Sequence, residues 1–498
     1  MTGATTQLWA LLRLRWELLR SAALRVGLVA TFLFLGWLGR LAVSSGEVLD
    51  DATVNTAIRL APAAFLGFGV LAVISPLTSG GGNEIVPPDQ LVAYPVRPRT
   101  QFLGGLVLTP LNLVWVVQLL GLTAMTSCLT LSTSLPLGAL TSAAFVGCLT
   151  VLGQAVAWLV VGLRQTRTGR RAVGTAGAFL LLGVVFTVHG GQSAVGHGAS
   201  PIRNIVEAVR NAGSSKWAIT TGVLLGMVVI GLLVGSRLCA WALRRPGDAG
   251  SSRHLKALRR RGPRRSTLRE LVAVDRASVW RAPALRRGGL VLAVLPGLVA
   301  AGAAVPWESL IVLPGLVAAG AGLLFGVNAF CLDGSGAMWV ASLPHEPRLI
   351  ARAKTVVLTE TVLGAVLVAA LAGSSRSPGT PTGAEVAGII AVGLTCTSVV
   401  VAQGMHASVQ RPHRADLRGP RDAVAPPGAM ALASLRLAAP TALVALIIAA
   451  AAATGVWWLP LGLGLTMIVA AGMSLARTLR RYEDPVRRAR VVAVVSAG

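Results

Sequence analysis

In this chain of 498 residues, few side chains combine an ionisable or reactive group with a position where it could act on a substrate. Glu360 is the clearest of them. It lies within the mainly apolar run 356–371, where an ionisable side chain usually faces a cavity or a charged partner. Two interpretations stay open. Glu360 forms part of a substrate path together with Asn112, or it pairs with an arginine near the inner edge of the membrane.

Other candidate reactive groups are sparse. Asp50 and Asp51 are similar to the acidic pair of membrane-embedded glycosyltransferases, in which a carboxylate binds a metal ion or acts as a base. Few nearby acids or histidines could complete such a site. His189 and His197 have no third ligand beside them, and the five cysteines contain no close pair. We therefore expect no metal site, no catalytic residue and packing roles for the cysteines.

The composition places the chain among membrane proteins. Apolar residues make up 54% of it and charged residues only 13%, and the mean hydropathy is +0.70. Apolar stretches of about 17–25 residues, the length of a membrane-spanning helix, recur about twelve times. The first stretch is expected to be a membrane anchor, since no soluble mature sequence follows it.

The net charge of +26 comes mainly from arginines that fill alternate segments between the apolar stretches. The intervening segments carry acids such as Glu47, Glu308 and Glu385. This asymmetry predicts that both termini and the arginine-rich centre of the chain face the cytoplasm, where they also contact the lipid bilayer. No nucleic-acid-binding motif accompanies the charge, so nucleic acid is not an expected partner. Heavy use of Ala, Gly and Arg is typical of a GC-rich bacterial genome, which predicts a bacterial cytoplasmic (inner) membrane.

The chain therefore predicts an all-α polytopic membrane protein with about twelve transmembrane helices. It divides into a first six-helix half at 1–243, an arginine-rich cytoplasmic linker at 244–265 and a second six-helix half at 266–498. An interfacial amphipathic helix precedes each half, at 8–25 and 268–287. Six spans per half make the halves parallel. The predicted spans are 26–43, 60–77, 102–126, 140–161, 173–189, 218–238, 289–305, 310–330, 356–371, 386–402, 437–454 and 457–476.

An internal repeat carries the strongest candidate sites. One constant offset takes Pro95, Pro98 and Arg99 onto Pro344, Pro347 and Arg348, and each phrase lies between the second and third spans of its half. Each follows a glycine-containing loop and a short amphipathic run, which together suit a docking element for a cytosolic partner. A plain surface loop is the alternative for either copy alone, and duplication favours docking. The candidate docking residues are Glu84, Asp89, Leu91, Tyr94, Pro95, Arg97, Pro98, Arg99, Asp333, Gly334, Trp339, Leu343, Pro344, Glu346, Pro347 and Arg348.

These features resemble the permease subunits of type-two ATP-binding-cassette exporters. The likeness rests on six spans after an amphipathic helix, on Asp333-Gly334 and on Leu343-Pro344-His345-Glu346-Pro347-Arg348 followed by Lys354. In that family the loop between the second and third spans is the coupling helix, which lies in a groove of the ATPase. The first copy departs from the pattern, since Tyr94 replaces the leucine and Gly105 replaces the lysine.

The resemblance implies that this chain is a fused, complete permease for an amphipathic or hydrophobic substrate such as a drug, peptide or lipid. A phosphate-binding Gly-x4-Gly-Lys loop is missing, since none of the three lysines follows a glycine. The chain is thus expected to be a transport subunit without enzyme activity or cofactor of its own. ATP and Mg would reside on a separate ABC ATPase subunit, with two copies for the two loops.

A twelve-span proton-coupled secondary transporter is the main alternative. Residues 166–171, Thr-Arg-Thr-Gly-Arg-Arg, partly match the Asp-Arg-x-Gly-Arg-Arg turn of such facilitators. The acid is missing, however, and the segment follows the fourth span, where the facilitators have it after the second. Twelve spans in two parallel halves suit both classes.

Overall fold

The computed structural model describes residues 97–107, 125–130, 134–166, 201–245, 266–302, 304–413 and 427–497, with single positions between 58 and 69, 119 and 123, and 168 and 175. These residues form helices joined by turns, and no β-strand occurs among them. Eight of the helical segments are long and apolar enough to cross a membrane. The prediction of an all-α polytopic membrane protein is therefore confirmed for the described part of the chain.

The chain separates into two compact units, Met1–Arg253 and His254–Gly498. The boundary falls within the segment predicted as a linker, and the linker residues 246–265 lie outside the described ranges. The parallel relation of two six-helix halves stays a prediction.

The described helices of the first unit are α1 (Pro98–Val107), α2 (Leu135–Arg164), α3 (Pro201–Arg210) and α4 (Ser215–Leu243). α2 and α4 correspond to the predicted fourth and sixth spans and pack along each other, with Thr141 and Thr221 hydrogen-bonded between them at 2.9 Å. Phe102 of α1 is buried and lies against Gly235 of α4, where a Cβ atom would overlap its ring. The other predicted spans of this half lie wholly or partly outside the described residues.

The second unit contains the remaining six membrane-length segments, and each overlaps one predicted span. Its helices are α5 (Thr267–Arg281), α6 (Pro283–Gly302), α7 (Trp307–Leu310), α8 (Leu313–Ala321), α9 (Gly336–Ser342), α10 (Pro347–Ser374), α11 (Gly383–Gln410), α12 (Pro427–Ala453), α13 (Trp458–Glu483) and α14 (Pro485–Ser496). The core lies where α10 and α11 pack against α8, around Val362, Val392 and Val400. As in the first unit, the fourth and sixth spans, here α11 and α13, pack closely together.

Local sequence explains where several helices begin. Proline is the first residue of α1, α3, α6, α10, α12 and α14, a position where its missing N–H is not needed and its fixed φ suits the helix. α11 begins with a capping box, in which the Thr382 hydroxyl accepts from the Glu385 amide and the Glu385 carboxylate accepts from the Thr382 amide. Both devices satisfy backbone groups that the first helical turn leaves free.

Two predicted helices are interrupted. The amphipathic segment 268–287 was expected to be continuous, but α5 ends at Arg281 and α6 begins at Pro283, because proline disfavours a helical conformation at Ala282 before it. The second span of this half, expected at 310–330, comprises α7, α8 and a π-helical turn at Gly322–Gly326, and then passes into turns. The close approach of Gly326 and Gly404 accompanies this break.

Candidate functional site

The segment from 327 to 346, called the docking loop below, connects the second and third spans of the second unit. It contains turns as far as Ser335, the short helix α9 and an extended stretch before Pro347. Gly334 adopts a φ of 48°, a left-handed conformation that glycine adopts without strain. α9 begins two residues later, at Gly336.

α9 presents apolar side chains to solvent. Met338 is 58% exposed, Trp339 76% and Leu343, the residue that follows the helix, 45%. Ala337 is buried on the opposite side of α9. Large apolar side chains clustered at the surface are a common mark of a contact with another protein or with a membrane. The structure thus places the predicted residues Trp339 and Leu343 on one exposed surface.

The proline-containing phrase leads from α9 into the third span. Pro344 and Glu346 are exposed, and Pro347 is the first residue of α10. Arg348 lies 2.6 Å from a carboxylate oxygen of Glu483, at the end of α13. This ion pair lacks the alignment of a good hydrogen bond, and both side chains are partly exposed, so we assign it a small stabilising effect. It nevertheless connects the beginning of the third span with the end of the sixth.

Asp333 enters a buried group of charges, here called the acid–lysine cluster, formed by Asp275, Asp333 and Lys354. The Lys354 ammonium donates to Asp333 at 2.6 Å and to Asp275 at 2.5 Å. Only 5% of the Lys354 side chain and 10% of the Asp275 side chain are exposed. The cluster therefore ties together three elements: the amphipathic helix α5, the docking loop and the third span α10.

Two carboxylates share one ammonium in this cluster, which leaves a surplus negative charge in a place with little water. Burial raises the pKa of the Asp275 carboxyl, and the neighbouring Asp333 carboxylate adds to the rise, although Lys354 offsets part of it. Burial also raises the pKa of the nearby Cys331 thiol to about 12. A thiol held in its neutral form is a poor nucleophile and metal ligand, in agreement with the packing role expected for this cysteine.

Glu360 makes a two-pronged ion pair with Arg276 of α5. The Arg276 guanidinium donates to the two carboxylate oxygens at 3.0 and 2.7 Å, and both side chains are about half exposed. Of the two interpretations of Glu360, pairing with an arginine is the one that this geometry matches. Its proposed companion in a substrate path, Asn112, lies outside the described residues, so that path stays a prediction.

The first copy of the docking phrase is described only from Arg97 onward. Arg97 and Arg99 are exposed, and α1 begins at Pro98 as α10 begins at the equivalent Pro347. The Arg97 carbonyl accepts from the amides of Thr100 and Gln101 in the first turn of α1. The remaining predicted docking residues of this half, Glu84, Asp89, Leu91, Tyr94 and Pro95, lie outside the described residues.

Two features of the site were absent from the sequence analysis. Asp275 was not singled out, although Val272, Asp275 and Val279 share one buried side of α5 at helical spacing, a pattern that could have marked the acid as inward-facing. No helix was predicted in the arginine-rich C-terminal segment after the last span, and this segment forms α14, which packs against α9. Val491 and Val495, two apolar residues at helical spacing, could have indicated a helix with a buried side.

Across the described ranges, no group of histidine, cysteine, aspartate or glutamate side chains is arranged to hold a metal ion. His189, His197, Asp50 and Asp51 fall outside those ranges.

No family model, no curated protein and no solved structure matches the chain.

Proposed function

We propose that this chain is the membrane subunit of an ATP-driven exporter and that a separate ABC ATPase binds to its docking loop. The observation that carries the proposal is the exposed apolar surface of Met338, Trp339 and Leu343 on a loop anchored by the acid–lysine cluster. A helix with exposed apolar side chains suits a hydrophobic groove on a partner. Its attachment to α5 and α10 gives a displacement of the loop a direct route into the membrane helices.

Charge and aromatic residues support a cytoplasmic position for this loop in a bacterial inner membrane. If successive spans alternate in direction, one set of helix ends lies on the same side as α9. These ends carry five arginines, Arg348, Arg352, Arg411, Arg480 and Arg481. The opposite ends carry Arg376, the acids Glu308 and Glu385, and the tryptophans Trp307, Trp457 and Trp458. In this arrangement the C-terminus is cytoplasmic, and an even number of spans would place the N-terminus there too.

Two features of the first unit support a second docking position. α1 begins at Pro98 in the same way as α10 begins at Pro347, and the fourth and sixth spans pack together in each unit. A duplicated permease of this kind would bind two ATPase subunits, each with its own ATP and Mg. ATP-driven closure of the ATPases would push on the loops and rock the two halves against each other.

The cargo is expected to be amphipathic or hydrophobic. The described spans are lined mainly by aliphatic side chains, and the ionisable groups Lys354 and Glu360 within them are already paired with protein partners. A drug, peptide or lipid suits such surroundings better than an inorganic ion, which needs a set of polar ligands.

The experiment that tests this proposal is purification of the chain together with the products of its neighbouring genes, among which we expect an ABC ATPase. We expect a stable complex that hydrolyses ATP, and we expect Trp339→Glu or Leu343→Asp to abolish complex formation because a charge would enter an apolar groove. Trp457→Glu is the matched control, since Trp457 is also exposed but lies beyond the opposite end of the spans. It should leave the complex intact.

A purified chain that binds no ATPase, or a Trp339→Glu variant that binds as well as the parent, would contradict the proposal. Arg348→Glu should weaken coupling, because it places two like charges together with Glu483.

A proton-coupled secondary transporter remains the second candidate, and the acid–lysine cluster favours it. Asp275 has a raised pKa and shares one ammonium with Asp333, an arrangement that could bind and release a proton. Uptake into vesicles by the chain alone, driven by a proton gradient and lost in Asp275→Asn, would support this candidate over the exporter.

A further inference from the structure

The buried side of the docking helix α9 rests on the C-terminal helix α14. Among the described helices, α14 is the principal neighbour of α9. Ala337 and Val340 of α9 line a narrow cleft with Val491, Val492 and Val495 of α14. Val491 and Val495 are buried. With seven residues, α9 is too short to be stable alone, so it depends on its anchors, which are this packing and the bond from Lys354 to Asp333.

α14 is itself fixed to the membrane helices. It follows α13 after a single residue, Asp484, whose carboxylate accepts a hydrogen bond from the Val486 amide and so caps α14. Beyond this covalent connection, α14 packs against α13 and α11. The aromatic rings of Phe330, in the docking loop, and Tyr482, at the end of α13, stack with their centroids 5.2 Å apart. The loop thus contacts the sixth span directly as well as through α14.

We propose that α14 transmits a displacement of α9 to the fourth and sixth spans, α11 and α13. This inference rests on the proposed function, because it assumes that an ATPase pushes on α9. The acid–lysine cluster provides one connection, from the docking loop to α5 and α10. α14 provides the second, and it reaches the two spans that pack most closely with each other in this unit. A partner that binds Trp339 therefore presses α9 against α14.

The test separates transmission from docking. Val491→Ser/Val495→Ser replaces two buried apolar side chains under α9 and leaves the exposed surface of Trp339 and Leu343 unchanged. Ala489→Ser/Ala493→Ser is the matched control, because it introduces the same hydroxyls on the exposed side of α14. Both are made in the full chain and purified with the co-expressed ATPase.

The readout needs no knowledge of the cargo. A cysteine placed at Val456, in the turn between α12 and α13, is labelled in reconstituted vesicles with a membrane-impermeant maleimide. The partly exposed Cys128 is replaced by serine, and the other four cysteines are buried. We expect ATP with vanadate to change the labelling rate in the parent and in the control. In Val491→Ser/Val495→Ser that change should be lost, while the ATPase still binds and hydrolyses ATP.

A second measurement guards against a variant that merely misfolds. Val340→Cys/Val492→Cys brings two thiols to the α9–α14 cleft, and we expect a disulfide to form both with and without ATP. Because α9 and α14 move together, the cross-linked chain should keep its ATP-dependent change at Val456. A cross-link that abolishes the change would overturn the inference, since it would mean that α9 must slide over α14.

Failure of this inference and failure of the proposed function give different results. If the parent binds the ATPase and Val491→Ser/Val495→Ser keeps the full labelling change, transmission through α14 is refuted and the exporter proposal stands. If the serine variant folds but loses the ATPase, α14 serves docking and the inference is again refuted. If the parent binds no ATPase, both fail.

Discussion

Lys354 lies about two turns into α10 and joins two carboxylates from different parts of the chain. Each of the three charged groups would be unfavourable in this position without its oppositely charged partner. Removing one charge from such a cluster leaves the others without compensation, and the cost of an unpaired buried charge exceeds the contribution of most surface ion pairs. The residue is thus central to the stability of the docking loop as well as to its position.

Lys354→Met should lower the free energy of unfolding by about 3–5 kcal/mol, because the buried Asp275 carboxylate and the partly buried Asp333 carboxylate lose their counterion. Thermal unfolding in detergent micelles measures the effect. The triple variant Lys354→Met/Asp275→Asn/Asp333→Asn should recover most of the loss. Arg276→Gln, which breaks the half-exposed pair with Glu360, is the control and should cost about 0.2–1 kcal/mol. Equal losses of unfolding free energy in Lys354→Met and Arg276→Gln would refute the view that the cluster stabilises the protein more than an exposed ion pair does.

The raised pKa of Asp275 gives a pH dependence with a definite sign. The folded protein keeps the Asp275 proton to a higher pH than the unfolded chain, whose carboxyl titrates near its ordinary value of 3.8. The stability associated with this group is therefore fully present below 3.8 and is lost as the pH rises through the raised value. Asp275→Asn cannot ionise, so its stability relative to the parent should increase with pH over this window. Unfolding of both proteins at a series of pH values measures the slope, and a flat difference would contradict the assignment.

At the scale of elements, the second span of the second unit is the least regular. After α8 it passes through a π-helical turn and then through turns in which the Cys331 and Asp333 amides donate to carbonyls three residues before them. Such backbone is tolerated at membrane depth only where the protein itself satisfies it. The Ser408 hydroxyl of α11 does so for Ala329, since it accepts from the Ala329 amide at 2.9 Å. Its single proton lies within reach of the Gly404 carbonyl of its own helix, at 2.8 Å, and of the Gly326 carbonyl, at 3.2 Å.

Gly404→Ala tests the close approach that makes these contacts possible. An added Cβ would lie 2.9 Å from the Gly326 carbonyl oxygen and 3.0 Å from its Cα, so α11 would have to move away. We expect a loss of about 1–3 kcal/mol in unfolding free energy, as for other overpacked sites. Gly364→Ala in α10 is the control. Apart from the neighbouring residues and backbone of its own helix, no atom lies within 4 Å of the place that a Cβ at 364 would take. The higher helix propensity of alanine should therefore leave the protein as stable or slightly more stable.

The same element shows where sequence reasoning stops. The apolar content of 310–330 predicted a span, and the span is present. Its break was not foreseen, because a run of Gly, Leu and Phe is compatible with an uninterrupted helix in a membrane. The contact with Gly404 and Ser408, which supports the break, involves residues far along the chain.

For the whole molecule, the proposed orientation makes a prediction that requires no partner. Leu343→Cys and Val456→Cys lie beyond opposite ends of the spans of the second unit. In intact spheroplasts a membrane-impermeant maleimide should label the cysteine at 456 only, and in inverted vesicles it should label the cysteine at 343 only. Labelling of both positions from the same side would refute the alternation of spans, and the reversed pattern would refute the cytoplasmic position of the docking loop.

The sequence by itself determined the membrane class, the positions of the spans in the second unit, and the helix start at Pro347, because hydropathy and proline act over short stretches of chain. It also identified Trp339 and Leu343 as apolar residues of the loop between the second and third spans of this unit. Only the tertiary structure decided that Asp275 and Asp333 share Lys354 and that α14 lies beneath α9. Helical periodicity shows which side of a helix is buried, but it does not specify the partner. Asp275 and Lys354 are 79 positions apart, and packing of the whole unit brings them together.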